Sequence, residues 1–265
     1  MFPKLNDGRS VTLNPAGRWR PERSSAIPQR VIARRMRRVR QRWADYRVFW
    51  REFRQAYHST GAVLPSGRAL AAALCRYVRE PGEAASAAGG NGAAGPNQGR
   101  RILEVGPGTG AVTGRIIADM RPGDRLVLVE RNEQFVARLR ARLDNEPAFR
   151  SAADRVALLH ASVEELAEDQ PFDLIISGLP LNNFSVELVE QILAKLRRLL
   201  APGGMLSFFE YVAVRRAKSF VSARGERERL RGVGRVMEEM LQSNEIHRDL
   251  VLANVPPAWV HHVRL

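Results

Sequence analysis

Ile102-Leu103-Glu104-Val105-Gly106-Pro107-Gly108-Thr109-Gly110 reads as a short apolar strand that runs straight into a turn with glycine at alternate positions. Gly106, Gly108 and Gly110 carry no Cβ, so the backbone can bend tightly, reach positive φ and let a ligand approach the main chain. A helix predicted from about Ala111 to Met120 then aims its N-terminal N–H groups at whatever occupies the turn. The spacing Gly106-x-Gly108-x-x-Ala111 also satisfies the dinucleotide fingerprint, so the surroundings must decide between ligands. Glu104, two residues before the first glycine, suits a cationic amino group better than a pyrophosphate. A second strand, Arg125–Val129, ends in Glu130, placed to accept both hydroxyls of a ribose. A turn that merely joined strand to helix would require neither acid.

At 265 residues, 45 % of them hydrophobic, the chain can bury a substantial core and reads as one α/β domain preceded by an N-terminal extension. No apolar run approaches the ~18 residues of a membrane-spanning helix, and the N-terminus lacks the apolar stretch of a secretory signal. Cys75 is the single cysteine, which excludes an internal disulfide and fits a reducing cytoplasm. His58, His160 and His247 are isolated, and His261–His262 falls on a predicted strand with opposite-facing side chains, so no metal is expected. The net charge is +14. Residues 1–57 hold 15 Arg and Lys against 4 Asp and Glu, so +11 of it lies in the first fifth of the chain. An anionic surface is the expected partner, and phospholipid and nucleic acid both qualify.

Residues 1–28, with Pro3, Pro15, Pro21 and Pro28 and little periodicity, read as a mobile arm. Residues 29–79 read as a basic amphipathic helix followed by an entry helix. Ile32, Met36, Val39, Trp43, Tyr46, Trp50, Phe53 and Tyr57 recur at alternating steps of four and three among arginines. Packed on the core, this helix would leave its arginines solvated. Laid on a membrane, it would sink its aromatic stripe among the headgroups while Arg34, Arg35, Arg37, Arg38, Arg40 and Arg42 meet lipid phosphates. The entry helix spans Ser66 to about Val78, and residues 80–100 are a Gly/Ala-rich linker. From 101 to 265, strands are expected at 155–159, 172–177, 204–211, 248–254 and 258–265, and helices at 185–201 and 226–243. With the two strands around the glycine turn, this is a Rossmann-like, seven-stranded doubly wound sheet. The short Pro256-Pro257 turn makes the last strand antiparallel.

Ligands in such sheets bind at the carboxyl ends of the strands, near the switch in strand order. After the third strand comes His160-Ala161-Ser162-Val163-Glu164, where Ser162 is a modest acceptor for a base amino group, Val163 can pack on a ring and Glu164 is the alternative acceptor. After the fourth comes Ser177-Gly178-Leu179-Pro180-Leu181-Asn182-Asn183-Phe184, in which Asn182 and Asn183 also suit a cap on the following helix. The fifth strand ends at Tyr211. Arg215, Arg216 and Lys218 follow, either as a solvated cluster or as a site for a lipid phosphate.

Glu104, the glycine turn and Glu130 together resemble the first two motifs of class I S-adenosylmethionine-dependent methyltransferases. The resemblance implies that Glu104, Gly106, Gly108 and Gly110 hold the methionine part of S-adenosylmethionine and Glu130 its ribose, with Ser162, Val163 and Ser177 as further contacts. That family usually places an acid near Ser162. The rRNA adenine dimethyltransferases carry asparagine and an aromatic residue where this chain has Gly178 and Leu181, so a base would lack its stacking ring. The Ser177–Asn182 segment instead resembles bacterial phospholipid N-methyltransferases, as do Thr60–Ser66, Phe208–Tyr211 and Asn254–Val260. This implies methylation of phosphatidylethanolamine towards phosphatidylcholine, by a peripheral protein on the inner face of the cytoplasmic membrane. Tyr211, Asn182 and Pro180 are then expected around the reacting amine, and Ser66, Leu181, Arg215 and Arg216 against the lipid. A sulfonium is already a reactive donor, so alignment is the main task, with Tyr211 orienting the amine or helping to take its proton. RNA methylation of the adenine-N6 type is the alternative, which the basic extension would serve equally.

Overall fold

The computed structural model describes residues 11–13, 19–21, 65–79, 99–168, 170–212, 224–254 and 257–265. The Ile32–Tyr57 stripe, residues 60–64 of the entry motif, the linker up to residue 98, and Arg215, Arg216 and Lys218 lie outside the described residues. Within residues 1–28, Val11–Leu13 (β1) pairs antiparallel with Trp19–Pro21 (β2).

The main sheet is built around Arg101–Val105 (β3). Leu103 and Val105 enter one core while Ile102 enters the other. A strand covered on both faces must be apolar on both, which explains its nearly unbroken hydrophobic run. Arg125–Glu130 (β4) and Phe172–Ser177 (β6) flank it in parallel. Val156–His160 (β5) continues the parallel set beyond β4, and Leu200–Tyr211 (β7) beyond β6. Ala258–Arg264 (β9) then runs antiparallel between β7 and Glu245–Val251 (β8), giving the order β5-β4-β3-β6-β7-β9-β8. The seven strands and the reversed last strand are those the sequence predicts.

Pro65–Leu74 (α1), Arg76–Arg79 (α2) and Ala111–Asp119 (α3) supply Leu74, Val78 and Ile116 to a core with Leu126, Leu128 and Val260. Glu133–Asn145 (α4) and the single turn Pro147–Arg150 (α5) follow β4. On the other face, Val186–Leu199 (α6) and Arg224–Asn244 (α7) bring Ile192, Leu196 and Val233 against Ile175, Leu206 and Phe208. Arg100 secures the start of β3. Its guanidinium bonds both oxygens of the buried Asp124 and the carbonyls of Tyr77 and Val78 at the end of α2.

The entry helix expected from Ser66 to about Val78 is divided at Cys75 into α1 and α2, the strand expected at 248–254 ends at Val251, and two further bounds differ from expectation. Helix α6 stops at Leu199 rather than 201, because Ala201 precedes Pro202 and is pushed out of the helical region; β7 therefore begins at Leu200, which is already extended. Strand β8 begins at Glu245, three residues early. Its exposed positions include Ile246 and Leu250 while the polar Glu245, His247 and Asp249 are half-buried, and a register shift falls between Glu245 and His247, a pattern that hides the strand's period. The two adjacent histidines do leave opposite faces of β9. His262 bonds the Ser207 hydroxyl and meets Tyr77 edge-on, whereas His261 stacks on Phe208.

Candidate active site

The carboxyl ends of β5, β4, β3, β6 and β7 lie side by side along one edge, in that order. Their loops depart at one level, since the Gly106 N–H donates to the Val129 carbonyl, that of Gly178 to Val105 and that of Ala161 to Glu130. Gly106, Gly108 and Gly110 all take positive φ, at 70°, 57° and 84°. A Cβ on Gly108 would meet nothing within 4 Å, so a ligand has room beside the turn. Gly178 is restricted for another reason. A Cβ there would sit 2.7 Å from the Gly106 carbonyl oxygen, so the crossing of the two loops forbids a side chain where the rRNA dimethyltransferase pattern has asparagine.

Glu104 is 1 % exposed. Its Oε2 accepts from the Thr113 hydroxyl at 2.7 Å, while Oε1 is buried without a partner. Burial pushes its carboxyl up to about 8; the Thr113 bond opposes this and the charge of Glu130 adds to it. A buried oxygen with no donor is costly unless something supplies one, and an incoming cation would do so. Glu130 holds the turn, with Oε2 accepting from the Gly108 N–H at 3.1 Å and Oε1 from the Asn132 N–H at 2.7 Å. The Arg131 N–H makes a third such bond, and a carboxylate with about four acceptor positions still has capacity for a hydroxyl. Its carboxyl is pushed up by burial against those same bonds. The edge thus fits a ligand carrying a cationic amine and a vicinal diol.

Beyond β5, Ser162 closes a local capping box. Its side chain accepts the Glu165 N–H, and the Glu165 carboxylate accepts the Ser162 N–H at 2.8 Å. Val163 is buried in the core, and the Glu164 Oε2 is a buried oxygen with no partner, so Glu164 rather than Ser162 offers the open acceptor. Beyond β6, the buried Ser177 hydroxyl accepts the Leu179 N–H at 3.4 Å. Pro180 precedes a 3-10 turn over Leu181–Asn183. Leu181 is 1 % exposed and belongs to the core with Phe184 and Phe208. Asn182 is 2 % exposed and neither its amide nitrogen nor its oxygen has a partner. It does not cap α6. That role falls to Ser185, whose hydroxyl accepts the Leu188 N–H.

Tyr211 ends β7 and lies edge-on to Phe209 at 5.1 Å. Burial raises its hydroxyl above the ordinary value, so it remains protonated at neutral pH. Ser66 lies in α1, and its side chain is outside the described residues. Sequence reasoning missed Arg229 on α7, which donates to the Asn182 carbonyl at 3.0 Å and to that of Phe184, and so fixes the loop from behind. It also missed Thr113. No short motif marks either residue, because each acts only through tertiary packing. Among the described residues, no group of three or more His, Cys, Asp or Glu is arranged to hold a metal ion, and no helix is long and apolar enough to cross a membrane.

Residues 102–204 match a family model described as a methyltransferase domain. Over 106 residues the chain is 33 % identical to the ornithine lipid N-methyltransferase of Singulisphaera acidiphila, covering 40 % of this chain and 54 % of that protein. Over 88 residues it is 36 % identical to the ribosomal RNA small subunit methyltransferase A of Burkholderia mallei, covering 33 % of this chain and 31 % of that one. The chain therefore spans about half the length of the first relative and less than a third of the second. An O-methyltransferase from Bacillus cereus, solved in complex with SAH, has the same fold. Its TM-score is 0.52 at 15 % identity, over 84 % of this chain and 91 % of that one.

Proposed function

We propose that this chain, whose residues 102–204 match a methyltransferase domain and whose fold is that of a methyltransferase solved with SAH, transfers methyl groups from S-adenosylmethionine to the amine of phosphatidylethanolamine at an anionic membrane surface. S-adenosylmethionine supplies an electrophilic methyl group on a sulfonium. The Glu104 Oε1 is suited to its ammonium, the open side of Gly108 to its chain, the remaining acceptor capacity of Glu130 to its ribose and the Glu164 Oε2 to its adenine amino group.

Asn182 carries the reading of the acceptor. A nearly buried amide with no partner, on a loop clamped by Arg229, is held ready for a small polar group. An amine can both donate to its oxygen and accept from its nitrogen. The neighbouring Leu181 offers no ring on which a base could stack, which favours a headgroup amine over a nucleobase. Tyr211, with its hydroxyl protonated, orients that amine and does not act as an anionic base. The lipid relative acts on an amine-bearing lipid according to its name, and the basic residues 1–57 suit an anionic bilayer. The ribosomal RNA relative favours a second reading, RNA methylation.

The test supplies the full chain and labelled S-adenosylmethionine with phosphatidylethanolamine–phosphatidylglycerol vesicles, ornithine-lipid vesicles and total RNA in parallel. Label in phosphatidylethanolamine is expected. Label only in ornithine lipid would keep the lipid class and overturn the headgroup, and label only in RNA would overturn the lipid reading. Removal of residues 1–57 should abolish sedimentation with the anionic vesicles.

A further inference from the structure

Glu210 directly precedes Tyr211 on β7 and so points to the opposite face of the sheet, where it pairs in register with Trp259. His261 lies two residues further along β9 on that face, 2 % exposed, its ring stacked on Phe208 at 5.3 Å. The His261 Nε2 is 3.6 Å from the Glu210 Oε1, and its Nδ1 is 2.6 Å from the Oε1 of Glu245, the first residue of β8. Arg248, opposite His261 in the β8–β9 register, lies over the Trp259 ring at 4.6 Å. Three ionisable groups thus stand in a row that begins at the carboxyl edge. A carboxylate only accepts, so in the neutral ring the hydrogen belongs on Nδ1, towards Glu245. The Nε2, which has no hydrogen-bond partner, is left as a bare lone pair facing Glu210.

We infer that Glu210 takes the proton released by the substrate ammonium and that His261, oriented by Glu245, stores it during methyl transfer. The inference rests on the proposal that the substrate is an amine. An ammonium nitrogen has no lone pair and cannot attack. In the first step an N–H bond breaks, its electron pair stays on nitrogen, and an O–H bond forms on Glu210. The proton then passes to the His261 Nε2, giving an imidazolium between two carboxylates, after a closure of roughly 0.6 Å to ordinary hydrogen-bond length. The neutral amine forms its bond to the methyl carbon while the carbon–sulfur pair leaves with sulfur. One proton is released per methyl added, whether the amine is primary or already methylated. When product leaves the edge, the proton returns through Glu210 to water and the ring regains its first tautomer. Glu245 is the positioning residue, fixing the tautomer and balancing the stored charge.

The test uses the full chain, phosphatidylethanolamine–phosphatidylglycerol vesicles and saturating S-adenosylmethionine. Glu210→Gln and His261→Gln should each lower kcat by roughly 10²-fold, and Glu245→Gln by roughly tenfold, with affinity for S-adenosylhomocysteine kept within about twofold. Nitrogen-15 NMR of the wild-type protein should show that the neutral form of this ring carries its hydrogen on Nδ1. If His261→Gln fails to fold, Glu245→Gln, at a side chain 25 % exposed, carries the kinetic test. Wild-type kcat in these variants, losses confined to cofactor affinity, or hydrogen on Nε2 would each overturn the inference. Wild-type protein that methylates no amine lipid would refute the substrate proposal and this inference with it, whereas hydrogen on Nε2 in a protein that does methylate one would refute the proton store alone.

Discussion

Glu104→Gln should flatten the dependence of stability on pH in the ligand-free protein while weakening cofactor binding. Burial holds the Glu104 carboxyl at about 8 instead of an ordinary 4.5, with the Thr113 bond opposing and Glu130 adding. Between those two pH values the native protein keeps a proton that the unfolded chain has lost. The stability this group contributes is therefore whole below about pH 4.5 and is lost steadily as pH rises towards 8. Each unit in that window removes ~1.4 kcal/mol, so between pH 5 and 7 the wild type should lose roughly 2.5 kcal/mol relative to the variant. For a domain of this size that is about 5–10 °C in Tm. Comparing the two proteins across pH cancels the constant cost of burying the new amide. Melting curves at pH 5, 6 and 7 make the measurement. Calorimetry of S-adenosylhomocysteine binding at pH 7, in buffers of different ionisation enthalpy, adds a second. The ligand ammonium should displace the Glu104 proton, releasing about 0.9 proton per ligand in the wild type and close to none in the variant. Parallel curves of Tm against pH, with heats independent of buffer, would refute the reasoning.

Gly178→Ala should cost about 1–3 kcal/mol and impair cofactor binding, because its Cβ meets the Gly106 carbonyl oxygen at 2.7 Å and must push the glycine turn aside; denaturant melts and calorimetry measure both. Asn182→Leu removes an amide that has no partner, so stability should hold or rise by roughly 1 kcal/mol while turnover on phosphatidylethanolamine falls; a destabilised variant of unchanged kcat would place the amide in the core's own packing. Tyr211→Phe keeps the ring against Phe209 and loses the hydroxyl, so kcat should drop by roughly 10²-fold with cofactor affinity near normal, as read by steady-state kinetics and calorimetry.

The cofactor edge was legible because its chemistry needs particular residues close together in the chain. A glycine turn nine residues long with its preceding strand, an acid before it and an acid ending the next strand leave little choice of ligand. The acceptor side was less so. Leu181, expected against the lipid, lies in the core, and Asn182 gains its meaning from the absence of partners, which only packing decides. Ser162 spends its hydroxyl on its own turn, passing the open acceptor to Glu164. Arg229 reaches a loop 45 residues away or more, and Glu210, His261 and Glu245 meet through the register of three strands. Alternation along β9 separates His261 from His262 on sight; what each then touches depends on elements far off in sequence.

The placement of β9 between β7 and β8 has a consequence for the order in which the molecule assembles. Strand β8 leaves the ribosome before β9, yet no ladder joins it to β7. Until Ala258–Arg264 emerges, β7 presents an open hydrogen-bonding edge that includes Phe208 and Glu210, and β8 has nothing to pair with. The five parallel strands that carry the cofactor edge can associate earlier, since their partners are already made. A nascent chain would thus hold its glycine turn and acids in place while the half bearing Tyr211 still lacked its support. Loss of the β9 segment would cost the sheet that strand and detach β8 with it, and exposure of the β7 edge in that interval is the stage at which this side of the sheet is most open to pairing with another copy.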